Sequence, residues 1–110
     1  MLMIYTNAAA RQAMEPDIDR IMAEVEALMK ELESTGEWVG GMALDDVART
    51  VRVSGGLPAV TDGPFLETKE VLAGVSIVDC ASLERATEIA ARWPDARYCA
   101  MEVRPVVGEA

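Results

Sequence analysis

Histidine is missing from this sequence altogether. Its absence removes the side chain that most often moves protons near neutral pH, every Ser–His or Cys–His nucleophile pair, and imidazole metal ligation. Any chemistry must then fall to carboxylates, Lys, Arg, Tyr, Cys or backbone groups. Cysteine is scarce: Cys80 and Cys99 stand 19 positions apart with no C-x-x-C, so neither a thioredoxin-like motif nor a zinc knuckle is readable. Both fall in apolar, strand-like stretches and are expected to be reduced, unpaired thiols. Basic residues are outnumbered, ten Lys plus Arg against 19 Asp plus Glu for a formal net charge of −9, which argues against nucleic acid and anionic membranes as partners. No apolar run approaches the roughly 18 residues of a membrane helix, and Met1-Leu2-Met3-Ile4-Tyr5 is too short for a signal-peptide core. The expected location is the cytoplasm. Asp45-Asp46 has no third ligand nearby and is read as solvent-facing, so neither a metal nor another cofactor is expected.

A chain of 110 residues with 51% hydrophobic content suffices for one packed core, and residues 1–110 are read as a single domain. Leu2 to Thr6 alternate as a strand, followed by a polar loop. From Pro16 to Ser34, Ile18, Ile21, Met22, Val25, Leu28, Met29 and Leu32 recur on one helical stripe, and Gly36 supplies a stop. Trp38 to Leu44 predict a strand and residues 50–61 a hairpin turning at Ser54-Gly55-Gly56. Val71 to Asp79 predict a β-branched strand. Ser82 is the expected N-cap of a second helix whose Leu83, Ala86, Ile89, Ala90 and Trp93 face inward and which Pro94 ends. Tyr98 to Arg104 alternate as a last strand. The order predicts an α+β fold of ferredoxin-like βαββαβ type with an inserted hairpin and both helices on one sheet face. Met3, Tyr5, Arg52, Tyr98, Ala100, Glu102 and Arg104 are assigned to the other face, Arg104 as an ion-pair partner of Glu102. Such a face, too apolar to stand bare, is expected to form a homodimer surface, a ligand floor, or both.

The run Val60-Thr61-Asp62-Gly63-Pro64-Phe65-Leu66-Glu67-Thr68-Lys69-Glu70 resembles the signature of the DGPF domain within the YCII-related family. Val39 to Leu44, Thr50 to Val53, Ala91-Arg92-Trp93-Pro94 and Glu102-Val103-Arg104-Pro105 fit the same pattern, so the likeness spans nearly the whole chain. It implies a ferredoxin-like protomer pairing through its open sheet face into a dimeric α+β barrel. Because such domains accompany sigma-factor domains, it also implies a sigma factor as partner. A His and an Asp recur in the family; the His has no counterpart here, which argues against an inherited acid–base mechanism.

Physically, Asp62-Gly63-Pro64 is first a turn, with Asp62 expected to order it. Its functional reading is that it holds Glu67, Thr68 and Lys69 over the open face, where a small polar ligand would meet Lys69 as principal charged contact, with Arg52 assisting and Tyr98 lining the floor. The function read from the sequence is thus a small dimeric ligand-binding or regulatory module. The alternative is a small-molecule isomerase or lyase using Asp62, Lys69 or Tyr98 for proton transfer.

Overall fold

The computed structural model describes residues 1–64 and 69–108. Strand β1 (Leu2–Thr6) leads into a short helix, α1 (Ala8–Met14), where the sequence reading placed a polar loop. The helix has no continuous apolar stripe to announce it, since only Ala10 and Met14 are buried. It forms because three consecutive alanines favour helical backbone and the Asn7 side chain caps it, accepting from the Ala10 N–H at 2.8 Å. A 3-10 turn over Glu15–Asp17 then delivers the chain into α2 (Ile18–Thr35).

Helix α2 realises the expected stripe along most of its length. Ile21, Leu28 and Leu32 are buried, but Ile18 and Met22 near its start stay 42% and 58% exposed. Gly36, at φ 78°, stops it in a Schellman-type ending, the Glu37 N–H reaching the Leu32 carbonyl at 2.9 Å. Next come β2 (Trp38–Ala43), a hairpin of β3 (Arg49–Ser54) and β4 (Leu57–Asp62), and β5 (Val71–Val78). Gly55 and Gly56, at φ 59° and 78°, turn the hairpin with the two positive dihedrals of a type I′ connection. Ser82 caps α3 (Leu83–Arg92) by accepting from the Arg85 N–H at 3.1 Å. Trp93, before Pro94, takes extended backbone and ends the helix. A 3-10 turn over Pro94–Arg97 precedes β6 (Ala100–Val103).

Four strands form one antiparallel sheet in the order β2-β5-β1-β6, and β3 and β4 form a separate two-stranded sheet. The result is an α+β fold compatible with the ferredoxin-like arrangement. Leu2, Ile4, Met101 and Val103 share the sheet side that meets α2 and α3, where Leu2, Leu28, Leu32, Ile89, Ala90 and Trp93 make the core. Bulges between Ile4 and Tyr5, opposite Ala73, and between Trp38 and Gly40 adjust the register along β5.

The helix-free side differs from expectation in four residues. Arg52 belongs to the separate hairpin sheet. Tyr98 lies in the turn before β6, because the strand starts only at Ala100. Arg104 follows the strand and, as expected, pairs with Glu102. Met3 is buried, since its neighbours in register, Val75 and Glu102, flank it on both sides of the central strand. The residues left bare there are instead Met42, Leu72 and Ile77. Leu83, assigned inward on α3, is 52% exposed.

One ion pair ties the end of α2 to α3. The Arg85 guanidinium donates two hydrogen bonds to Glu37, both at 2.9 Å, and the Thr35 hydroxyl adds a third at 2.8 Å. With Arg85 first and Thr35 second, these donors hold the Glu37 carboxyl down to about 2, from an ordinary 4.5. A carboxyl whose folded value lies below its unfolded one stabilises the fold above the unfolded value, and that contribution is lost as pH falls through the folded value. Glu37→Gln is therefore expected to be less stable than wild type at neutral pH, the gap closing between about pH 4.5 and about pH 2. Urea titrations at pH 7, 4 and 2 check this; a gap that stays constant would show the charge of Glu37 to be irrelevant.

Candidate functional site

Between α2 and the β1-β5-β2 part of the sheet lies a hollow of about 320 Å³, within the range of small-molecule sites. Its wall on the helix side is Met22, Val25 and Met29, and Ile4 faces them from β1. Its floor is nearly free of side chains, because β2 contributes Gly41 and Ala43 and β5 contributes Ala73, Gly74 and Ser76. Trp38 and Trp93 stack beside it, ring centres 6.2 Å apart and planes 21° from parallel. The bare floor is enforced at Gly41. A Cβ there would stand 2.9 Å from both the Trp38 ring and the Val75 carbonyl oxygen.

Among the described residues two polar side chains interrupt this apolar lining, Ser76 and Asp95. Ser76 is buried at 4% exposure. Asp95 sits in the 3-10 turn after Pro94 and borders both this hollow and a neighbouring cleft of about 440 Å³ that includes Thr6, Met14 and Ile18. Burial pushes the Asp95 carboxyl up from its usual range, against the opposing pull of its own backbone N–H and of Arg97. Its main-chain oxygen accepts the Cys99 thiol at 3.3 Å. Burial, then the charges of Asp95 and Glu70, raises that thiol above its ordinary value. A thiol so placed is protonated at neutral pH and a poor nucleophile. Cys80 and Cys99 are both free, as expected, although neither lies within a strand.

A third cleft, of about 490 Å³, has Pro64 and Val71 on its rim. Its charged groups satisfy one another. Arg11 donates to both Asp46 oxygens, at 2.8 and 2.6 Å, which lowers the Asp46 carboxyl. Asp45 accepts from the Val47 N–H at 2.9 Å. The Asp45-Asp46 pair is thus a loop anchor, and no group of three or more acidic or thiol side chains is disposed for a metal among the described residues.

The residues singled out in the sequence fall in two places. Asp62 ends β4 with its side chain 98% exposed, 3.9 Å from Arg49. Its turn is held by other groups, the Gly63 N–H donating to the Ala48 carbonyl at 2.7 Å and the Thr50 hydroxyl to the Gly63 carbonyl at 2.8 Å. Arg52 pairs with Ala59, three residues along β3 from Arg49 and so about 10 Å from it. Lys69 is exposed and precedes β5 at the end of the sheet where Val71 meets Thr6. Tyr98 lies at that same end, its ring 5.9 Å from the Arg97 guanidinium. Glu67 and Thr68 lie outside the described residues.

A model of the YCII-related domain matches residues 1–109. The chain belongs to the YCII-related family. An uncharacterised protein of Rhizobium meliloti (strain 1021) is 33% identical over 110 residues, spanning 96% of this chain and 89% of that relative. Among the described residues no helix is long and apolar enough to cross a membrane.

In this YCII-related chain the hollow and its two polar residues escaped the reading of the sequence. Ser76 was findable. Strand alternation puts it in phase with Gly74 and Val78, on the side facing the helices. Asp95, after Trp93-Pro94, reads as an ordinary turn acid, and only the assembled fold, which sets it beside Thr6 at the end of β1 and Ile18 at the start of α2, reveals its partial burial.

Proposed function

We propose that the chain is a small-molecule-binding module whose ligand is compact and largely apolar, with one amine or hydroxyl donor, seated between α2 and the four-stranded sheet. One observation carries this reading: a hollow of about 320 Å³ whose lining, among the described residues, is apolar except for Asp95 and Ser76. A desolvated carboxylate gains most from a cation or a strong donor brought to it, and apolar walls add affinity without fixing orientation. Ligand occupancy is the input of a regulatory module in this reading, and a sigma factor is the output partner that the family resemblance implies. Proton transfer by Asp62, Lys69 or Tyr98 is less favoured, because Asp62 projects into solvent from the hairpin while Lys69 and Tyr98 stand at the end of the main sheet.

A thermal-shift screen with small amines, alcohols and carboxylates tests it. Amines or alcohols are expected to raise the melting temperature, as any ligand of the folded state does. Asp95→Asn is expected to abolish that shift while leaving the unliganded protein as stable as wild type or slightly more so, since a desolvated charge is removed. Binding of an amine is lost as pH falls through the Asp95 value, which begins above that of an ordinary aspartate. An unchanged shift in Asp95→Asn would overturn the assignment. A second reading is the ligand expected from the sequence, an anion drawn to Lys69, which is exposed and stands two residues before Val71 on the rim of the third cleft. Its signature is a carboxylate-induced shift that is lost in Lys69→Ala and kept in Asp95→Asn.

A further inference from the structure

The hollow between α2 and the sheet continues into the cleft of about 440 Å³ beside it. Along α2, Ile18 lines the cleft, while Met22, Val25 and Met29, at the spacing of one helical stripe, line the hollow. Strand β1 spans the same two spaces, with Thr6 on the cleft and Ile4, two residues back and so on the same side of the sheet, on the hollow. Asp95 and Ala73 line both. Ala73 is the extra residue of the bulge opposite Ile4 and Tyr5, and its side chain at this junction is a single methyl group. At about 1.5 Å per residue the path from Ile18 to Met29 is roughly 16 Å long. The fold leaves the cleft end of that path uncovered, since Ile18 and Met22 are exposed on a stripe whose Ile21, Leu28 and Leu32 are buried.

Charge along this path has one sign to spare. Arg11, the one base on the lining of the two spaces among the described residues, already donates to both oxygens of Asp46. Arg97, two residues from Asp95, pairs with Glu24 at 2.6 Å. The acids are Asp95 at the junction and Glu15 in the cleft, and among the described residues neither forms an ion pair. The net charge of −9 adds to the pull on a cation.

We infer that hollow and cleft form one trough for a diamine with an apolar head: the head lies in the hollow, the first ammonium meets Asp95 at the junction, and a methylene spacer passes Ile18 and Met14 to set the second ammonium against Glu15. The inference rests on the reading of the hollow as a ligand site and names the class of its ligand. A monoamine satisfies Asp95 but leaves Glu15 unmatched. A carboxylate in place of the second ammonium would meet Glu15 as a like charge. The spacer covers the bare apolar stretch of α2, and the two ammonium groups answer the two carboxylates.

Calorimetric titration of the full chain with N-benzylputrescine and N-benzylbutylamine, which differ only in the terminal amino group, tests the inference. Wild type is expected to bind both, the diamine about threefold or more tightly, as one further ammonium–carboxylate contact at an open site provides. Glu15→Gln is expected to bind the two probes equally and the monoamine as wild type does. Asp19→Asn, the same change of charge on an exposed acid of α2 that lines neither space, is expected to keep the preference for the diamine. Asp95→Asn is expected to lose both probes. If neither probe binds wild type, or binding survives in Asp95→Asn, the reading of the hollow falls and the inference with it. If both bind through Asp95 with equal affinity, or the preference persists in Glu15→Gln, or it disappears in Asp19→Asn, the diamine assignment alone is overturned and the hollow stands as a monoamine site.

Discussion

Ile89→Ala is expected to lower the unfolding free energy by about 2–5 kcal/mol. Ile89 has no exposed surface and lies among Leu2, Leu28, Leu32 and Trp93, side chains from β1, α2 and the end of α3. Closing the void would require β1 or α2 to move. Both are held elsewhere, β1 between two strands and the end of α2 by the Glu37–Arg85 pair. The site therefore relaxes little, which places the cost toward the upper part of that range. For a domain this small each kcal/mol corresponds to about 4 °C or more in melting temperature, so the midpoint is expected to fall by at least about 8 °C. Chemical and thermal unfolding of the two proteins side by side give the answer. A loss below about 1 kcal/mol would mean that these residues do not form the close-packed centre of the domain.

Gly41→Ala is expected to be destabilising as well, although alanine in a strand is ordinarily the better residue. Replacing a glycine restricts the unfolded chain and by itself contributes about 0.4–1 kcal/mol in favour of folding. Here the added Cβ would meet the Trp38 ring and the Val75 carbonyl oxygen at 2.9 Å and the Ser76 hydroxyl at 3.1 Å. The ring can swing away; the carbonyl belongs to the neighbouring strand β5 and cannot yield without disturbing the ladder. Overpacking of this kind costs typically 1–3 kcal/mol, so the net loss is centred near about 1 kcal/mol and is at most about 2.6 kcal/mol. Because Trp38 stacks on Trp93, the near-ultraviolet circular dichroism of the indoles is expected to change too. A variant as stable as wild type with an unaltered indole spectrum would show that β2 does not approach β5 this closely.

How much of the fold could be read from the sequence depended on whether an element announces itself by periodicity. The stripe from Ile18 to Leu32, the capped run from Ser82 and the alternation through Val51 and Val60 each produced the element they predicted. Helix α1 did not, because it buries only two residues and owes its existence to a cap and to alanine. Tyr98 was drawn into β6 by an alternation that continues through a turn, where hydrogen bonds to the Asp95 carbonyl keep the backbone out of the ladder. The hollow was invisible for a different reason. It is made by side chains that are missing at Gly41 and Gly74, opposite Val25 and Met29 far away in the chain. An absence has no period, so only the assembled fold brings it into view.

The composition of that hollow's lining bears on what it can select. Met22 and Met29 are two of the chain's seven methionines, and a thioether arm with three rotatable bonds and a polarisable sulfur re-packs around a guest more readily than a branched or aromatic side chain. The backbone floor offers little to rearrange, but the methionine wall takes its contour from whatever occupies it. Discrimination between guests then rests on size and on the group presented to Asp95 rather than on outline, and a family of chemically related molecules would share one binding site.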